Sequence, residues 1–99
     1  MKPDFNLNDK VAVITGGGGA LGGCIAQSLS ESGVKIVILD LTDESAQKTV
    51  DLIERNGGKA IGFASNVLSK DSIQKISQEI IAKWGRVDIL LNAAGGNMQ

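Results

Sequence analysis

Val11-Ala12-Val13-Ile14-Thr15-Gly16-Gly17-Gly18-Gly19-Ala20-Leu21-Gly22-Gly23 is the stretch that decides the fold. Its first four residues are apolar, mostly β-branched and without polar alternation, the pattern of a strand covered on both faces. The run passes straight into glycines, and from Ala20 the apolar spacing turns helical, with Leu21, Ile25 and Leu29 at i, i+4 and i+8. Six of the thirteen glycines lie within 16–23. A tight strand-to-helix bend needs backbone angles that side chains forbid, and an anion can approach backbone N–H groups only where no Cβ intervenes. The helix then directs its unsatisfied N–H groups and positive dipole end at that anion. Glycines that merely permit close helix–strand packing are the competing reading, but the position between a buried strand and a helix favours a phosphate. A P-loop is excluded, because no Lys-Ser/Thr pair follows the glycines and no lysine occurs between Lys10 and Lys35.

Outward from the bend, strands and helices alternate. Gly33 stops the first helix. Lys35–Asp40 is a second buried strand, and Thr42 caps the next helix, whose positive end Asp43 and Glu44 favour. That helix carries Ala46, Val50 and Ile53 on one stripe and ends at Gly57-Gly58. Ala60–Ala64 is a weaker third strand. Ser69 opens a third helix bearing Ile73, Ile76, Ile80 and Trp84, closed by Gly85, and Val87–Asn92 is a fourth strand. The order β-α-β-α-β-α-β with continuously apolar strands predicts an α/β fold, a parallel sheet with right-handed helical crossovers. A spatial order of 3-2-1-4 would put the first two helices on one face and the third on the other.

Ninety-nine residues suffice for one small domain. Apolar and charged shares of 42% and 21% are those of an ordinary globular chain, and a net charge of −1 gives no reason to expect nucleic acid or an anionic membrane as partner. No apolar run reaches the roughly 20 residues of a membrane span. One cysteine, Cys24, permits no internal disulfide, and without histidine a zinc site is not expected, so the default compartment is a reducing cytoplasm. Cys24 reads as a small helix residue packed against the sheet.

Asp40 ends the second strand close to the ~20-residue spacing at which a carboxylate meets the adenosine ribose of a bound dinucleotide. A carboxylate there repels a 2′-phosphate, and no Arg or Lys flanks it in sequence, which favours NAD over NADP.

With these residues in place the chain resembles the short-chain dehydrogenase/reductase family. Lys10-Val-Ala-Val-Ile-Thr-Gly is similar to that family's first strand, and Thr15-Gly16-x-x-x-Ala20-x-Gly22 matches its T-G-x-x-x-[AG]-x-G fingerprint, with Ala20 where glycine is usual. Val87-Asp88-Ile89-Leu90-Leu91-Asn92-Ala93-Ala94-Gly95 is similar to its V-D-I-L-V-N-N-A-G segment. The resemblance implies a Rossmann-type doubly wound parallel sheet, truncated to the elements above, with residues 1–99 as the NAD(P)-binding, N-terminal portion of a longer single-domain dehydrogenase. It also implies site roles. Thr15 would steady the bend, and the backbone of Gly16, Gly18, Gly19, Ala20, Leu21 and Gly22 would meet the pyrophosphate. Asp40, with Leu41 beside it, would hold the ribose, and Asn66 and Val67 would flank the adenine, Asn66 standing where the family has Asp. Asn92 either ties the fourth strand to its neighbour or touches the cofactor, while Ala93, Ala94 and Gly95 would line the floor near the nicotinamide ribose.

The family's reaction is hydride transfer between the nicotinamide and an alcohol or carbonyl, with a Tyr-x-x-x-Lys helix and a serine as the catalytic apparatus. This chain has no tyrosine, so it is expected to bind without turning over. The glycine run and Ala-Ala-Gly-Gly-Asn at 93–97 are similar to bacterial members acting on sugar acids such as mannonate or fructuronate. A non-catalytic dinucleotide-binding sensor or scaffold is the alternative function. An open edge at the fourth strand predicts self-association of the isolated chain; the parent protein is expected to be a homo-oligomer.

Overall fold

In the computed structural model, residues 7–64 and 70–93 are described. They form a four-stranded parallel sheet in the order β3-β2-β1-β4, from β1 (Val11–Thr15), β2 (Lys35–Asp40), β3 (Ala60–Ala64) and β4 (Ile89–Asn92). The connecting helices are α1 (Ala20–Glu31), α2 (Asp43–Arg55) and α3 (Lys70–Trp84). With this strand order α1 and α2 cover one face of the sheet and α3 the other. All five residues of β1 are buried, and so is the centre of β2, which is why these two strands read as unbroken apolar runs.

The pleat divides the core in two. Ala12, Ile14, Ile36 and Ile38 face α1 and α2, meeting Ala26, Ala46, Val50 and Ile53. Val11, Val13, Val37 and Leu39 face α3, meeting Ile76 and Ile80, with Ile73 and Trp84 at the margin. Each such aliphatic side chain contributes about 1.5–3 kcal/mol when fully buried, so the interior strands carry most of the stability. Helix ends follow the sequence: Thr42 Oγ1 accepts from Ser45 N–H at 3.1 Å, and Gly33, Gly57 and Gly85 leave their helices with φ of +92°, +89° and +78°.

At the foot of β4, Asp88 clasps the sheet. Its carboxylate receives two 2.8 Å bonds from the Arg86 guanidinium and one of 2.9 Å from Val11 N–H. These donors, Arg86 first, hold the carboxyl below its ordinary value.

Three expectations are corrected. Leu21 does not belong to the buried stripe of α1, being 63% exposed, and Cys24 is exposed rather than packed on the sheet. The helix instead turns Gly22, Gly23 and Ala26 inward. It lies so close to the bend that only the smallest residues fit beneath it. The fourth strand is also shorter than expected, beginning at Ile89, and it is not continuously buried. Leu90, paired in register with Val13 and so facing the α3 side, is 70% exposed because α3 does not reach over it.

Candidate functional site

The carboxyl ends of β1, β2 and β4 and the start of α1 converge on one edge of the sheet, where ligands of open α/β sheets are held. β1 ends at Thr15, whose hydroxyl donates to Asn92 Oδ1 at 2.7 Å while its carbonyl accepts from Ala93 N–H at 3.0 Å. These bonds fix β4 to β1 at the rim. Gly16 then turns the chain with φ +69°, and its N–H donates to Leu39 O at 2.7 Å. Gly17 and Gly18 are buried, whereas Gly19, Ala20 and Leu21 are exposed.

Two glycines are required by close approach. A Cβ on Gly22 would strike the Gly16 carbonyl oxygen and come within 2.9 Å of Gly17 Cα, and one on Gly18 would strike the Ser45 carbonyl of α2. The bend is therefore packed backbone against backbone.

Its N–H groups fall into two sets. Gly18 N–H donates to Asp40 Oδ2 at 3.0 Å, and Gly19 N–H to Gly16 O at 3.1 Å. Among the described residues no acceptor meets the N–H of Ala20, Leu21 or Gly22, the first turn of α1. The Gly19 cap offers no side chain, and the turn holds no acidic residue. Such a helix start presents unpaired donors and a positive dipole end to the rim, which suits an anion.

Asp40 sits beside it, half-buried. Oδ2 accepts from Gly18 and Oδ1 from Leu41 N–H at 2.8 Å. A carboxylate has about four acceptor positions, so both oxygens keep capacity for a diol after these bonds orient the group. Leu41 itself is 75% exposed. Thr15, Gly16, Gly18, Gly19, Ala20, Leu21, Gly22, Asp40, Leu41, Asn92 and Ala93 are thus gathered at one rim, while Asn66, Val67, Ala94 and Gly95 lie outside the described residues.

Sequence reasoning missed Thr49. It is 2% exposed on the inner face of α2, and its hydroxyl donates to Gly17 O at 2.7 Å. The signal was present: a hydroxyl on the apolar stripe of Ala46, Val50 and Ile53 must find a partner when buried. A groove of about 490 Å³ runs beside the bend between α1 and α2, with Thr49 in its lining and, among the described residues, Lys48 as its one cation. A separate cleft of about 460 Å³ at the opposite end, between Gly33 and Gly57, has Glu31 and, among the described residues, no cation, which disfavours an anion there.

The family model described as short chain dehydrogenase matches residues 10–99. The chain belongs to that family. Among relatives, it is 42% identical over 92 residues to the uncharacterized oxidoreductase UxuB of Bacillus subtilis, covering 93% of this chain and 33% of that protein. Among solved structures, it superposes with a TM-score of 0.88 and 40% identity on an NAD-bound Haemophilus influenza protein assigned as a D-mannonate oxidoreductase, covering 94% of this chain and 33% of that one. NAD+-bound xylitol dehydrogenase superposes with a TM-score of 0.82 at 28% identity, over 87% of this chain and 33% of that one. This short chain dehydrogenase chain therefore spans about a third of the length of the relatives it matches. No described helix is long and apolar enough to cross a membrane.

Proposed function

We propose that this chain forms the ADP-binding portion of a site for a nicotinamide dinucleotide, in an oxidoreductase that moves hydride between the nicotinamide and an alcohol or carbonyl. The observation that carries the reading is the pairing at one rim of three unpaired helix N–H groups with the Asp40 carboxylate. The residues fit such a group: Gly19, Ala20 and Leu21 are exposed at the rim, and the first-turn N–H groups of α1 meet no acceptor among the described residues, which leaves them for a diphosphate. Ala20, Leu21 and Gly22 would donate to the diphosphate, and Asp40 would accept from the ribose hydroxyls. The nicotinamide, when bound, would supply or take up the hydride. Thr15 and Asn92 would hold β4 in place beneath it.

NAD is the proposed form. A phosphate on the 2′-oxygen would stand near the Asp40 carboxylate at a cost on the order of 1–3 kcal/mol per unit charge after solvent screening, roughly tenfold to a hundredfold in affinity. Lys48 is the nearby cation, and it forms no ion pair with Asp40. A sugar acid is the proposed substrate class, supported by the likeness to the protein assigned as a D-mannonate oxidoreductase. The exposed Cys24 thiol suits a reducing compartment such as the cytoplasm.

Calorimetric titration tests the reading. NAD and ADP should bind the protein and NADP more weakly, and Asp40→Ala should weaken NAD while narrowing the gap to NADP. If neither NAD nor ADP binds, the proposal fails. A preference for NADP would instead give Lys48 the phosphate and remove Asp40 from its role.

A further inference from the structure

The peptide unit joining Gly17 to Gly18 is held at both ends. Its carbonyl oxygen accepts from the Thr49 hydroxyl at 2.7 Å, and its N–H donates to Asp40 Oδ2 at 3.0 Å. In a planar trans peptide the C=O and the following N–H point to opposite sides, so Thr49 and Asp40 fix one rigid plane from two directions. Thr49 comes from the interior of α2, and Asp40 from the end of β2. The plane leads, through Gly19, into the first turn of α1.

The two anchors are not equivalent. Asp40 is half-buried at the rim and has acceptor capacity to turn toward a ribose diol, which draws its carboxylate away from exclusive service to Gly18. Thr49 is 2% exposed, at the floor of the groove between α1 and α2, so protein covers nearly all of it. Its hydroxyl is buried beside Gly23, where a Cβ would stand 3.3 Å from Oγ1, so α1 leaves space for that hydroxyl alone.

From this geometry we infer that Thr49 is a positioning residue for dinucleotide binding: its hydroxyl keeps the Gly17–Gly18 peptide, and hence the free N–H groups of the α1 start, aimed at the diphosphate while Asp40 engages the ribose. The inference rests on the proposed dinucleotide site and deepens it. It predicts that a side chain which never touches the ligand controls affinity for the diphosphate and not for the nucleoside.

The test uses the whole protein that carries this chain, with ADP, NAD and adenosine as probes in calorimetric titrations and with circular dichroism to establish folding. Thr49→Val keeps the shape and removes the donor, and Thr49→Ser keeps the donor and removes a methyl. Thr49→Val should bind ADP and NAD about 5- to 20-fold more weakly, the worth of one buried hydrogen bond, and adenosine as the wild type does. Thr49→Ser should stay within about twofold for all three, even if its thermal midpoint falls as far as that of Thr49→Val. If Thr49→Val does not fold, Thr49→Ala, which adds no atom, takes its place with the same expectation. Wild-type affinity for ADP in the folded donor-less variant overturns the inference, and so does an equal loss of ADP affinity in Thr49→Ser, which would assign the effect to packing. An equal loss for ADP and adenosine also overturns it. Failure of the wild type to bind ADP or NAD is a different result, and it removes the dinucleotide site itself.

Discussion

Gly22→Ala is the sharpest perturbation of the bend. The added methyl would meet the Gly16 carbonyl oxygen, Gly17 Cα at 2.9 Å and Gly16 C at 3.0 Å, all backbone atoms of a turn held by Leu39 and Thr49. No side chain can rotate aside, so α1 must lift from the sheet or the bend must open. Overpacking of this kind costs about 1–3 kcal/mol, and the upper part of that range applies where only backbone can give. Alanine returns up to ~1 kcal/mol of helix propensity, leaving a net loss of about 2 kcal/mol. With a urea m-value of about 1–3 kcal/mol/M, the unfolding midpoint should fall by roughly 1 M. Gly19→Ala is the internal control. Its Cβ would lie 3.5 Å from Gly16 O, an ordinary contact, at φ −80°, and loss of the glycine cap should cost less than ~1 kcal/mol. Since Gly22 N–H is one of the three unpaired donors, NAD affinity should also fall at least tenfold in Gly22→Ala. An alanine variant at 22 with an unchanged or higher midpoint would refute the close-approach argument, because the helix could then not lie where the glycines put it.

Two further outcomes follow from the foot and the edge of β4. The Asp88 carboxyl is held below its ordinary value of 3.8, so its contribution to stability is complete above that value and is lost as pH falls through the lowered one. In thermal unfolding between pH 7 and pH 2.5, Asp88→Asn should lie below the wild type at neutral pH and converge with it in acid, whereas parallel curves would sink the assignment. Among the described residues no strand lies beyond β4 at the sheet edge, and the 70% exposed Leu90 leaves apolar surface beside a trough of about 350 Å³ lined by Val13, Ile73, Ile80 and Val87. Residues 1–99 prepared alone should therefore sediment as associated species, with Leu90→Lys shifting them toward monomer; a stable wild-type monomer would count against this.

The fold was legible where local chemistry and tertiary packing agree. The runs Val11–Ile14 and Ile36–Leu39 are buried and carry no polar residue, and Thr42, Gly33 and Gly57 mark helix ends through their own hydroxyl or backbone freedom. Reading failed where closeness overrides periodicity. In α1 Ile25 and Leu29 of the expected stripe do pack against the core, but Leu21 does not, and the fully buried face belongs to Gly22, Gly23 and Ala26 because the bend brings helix and strand backbones together. Hydropathy patterns count bulk and cannot register a face defined by its absence. The partner of Thr49 was hidden for a related reason: the Gly17 carbonyl is 32 residues away in sequence and meets the hydroxyl only once α2 docks beside α1.

These two failures share a cause that bears on how the site works. The bend is not a self-contained loop between β1 and α1; its tip rests on α2, through Ser45 against Gly18 and Thr49 against Gly17, and on β2 through Asp40. The glycines therefore do two things at once, baring N–H groups on the rim side and admitting α2 on the inner side. A substitution that preserves the first and spoils the second keeps every ligand-facing atom yet moves them together. On the proposed reading, affinity at this rim would be a property of three elements packed in register, and α2, which a motif centred on the glycines leaves out, would set the depth at which an anion finds its donors.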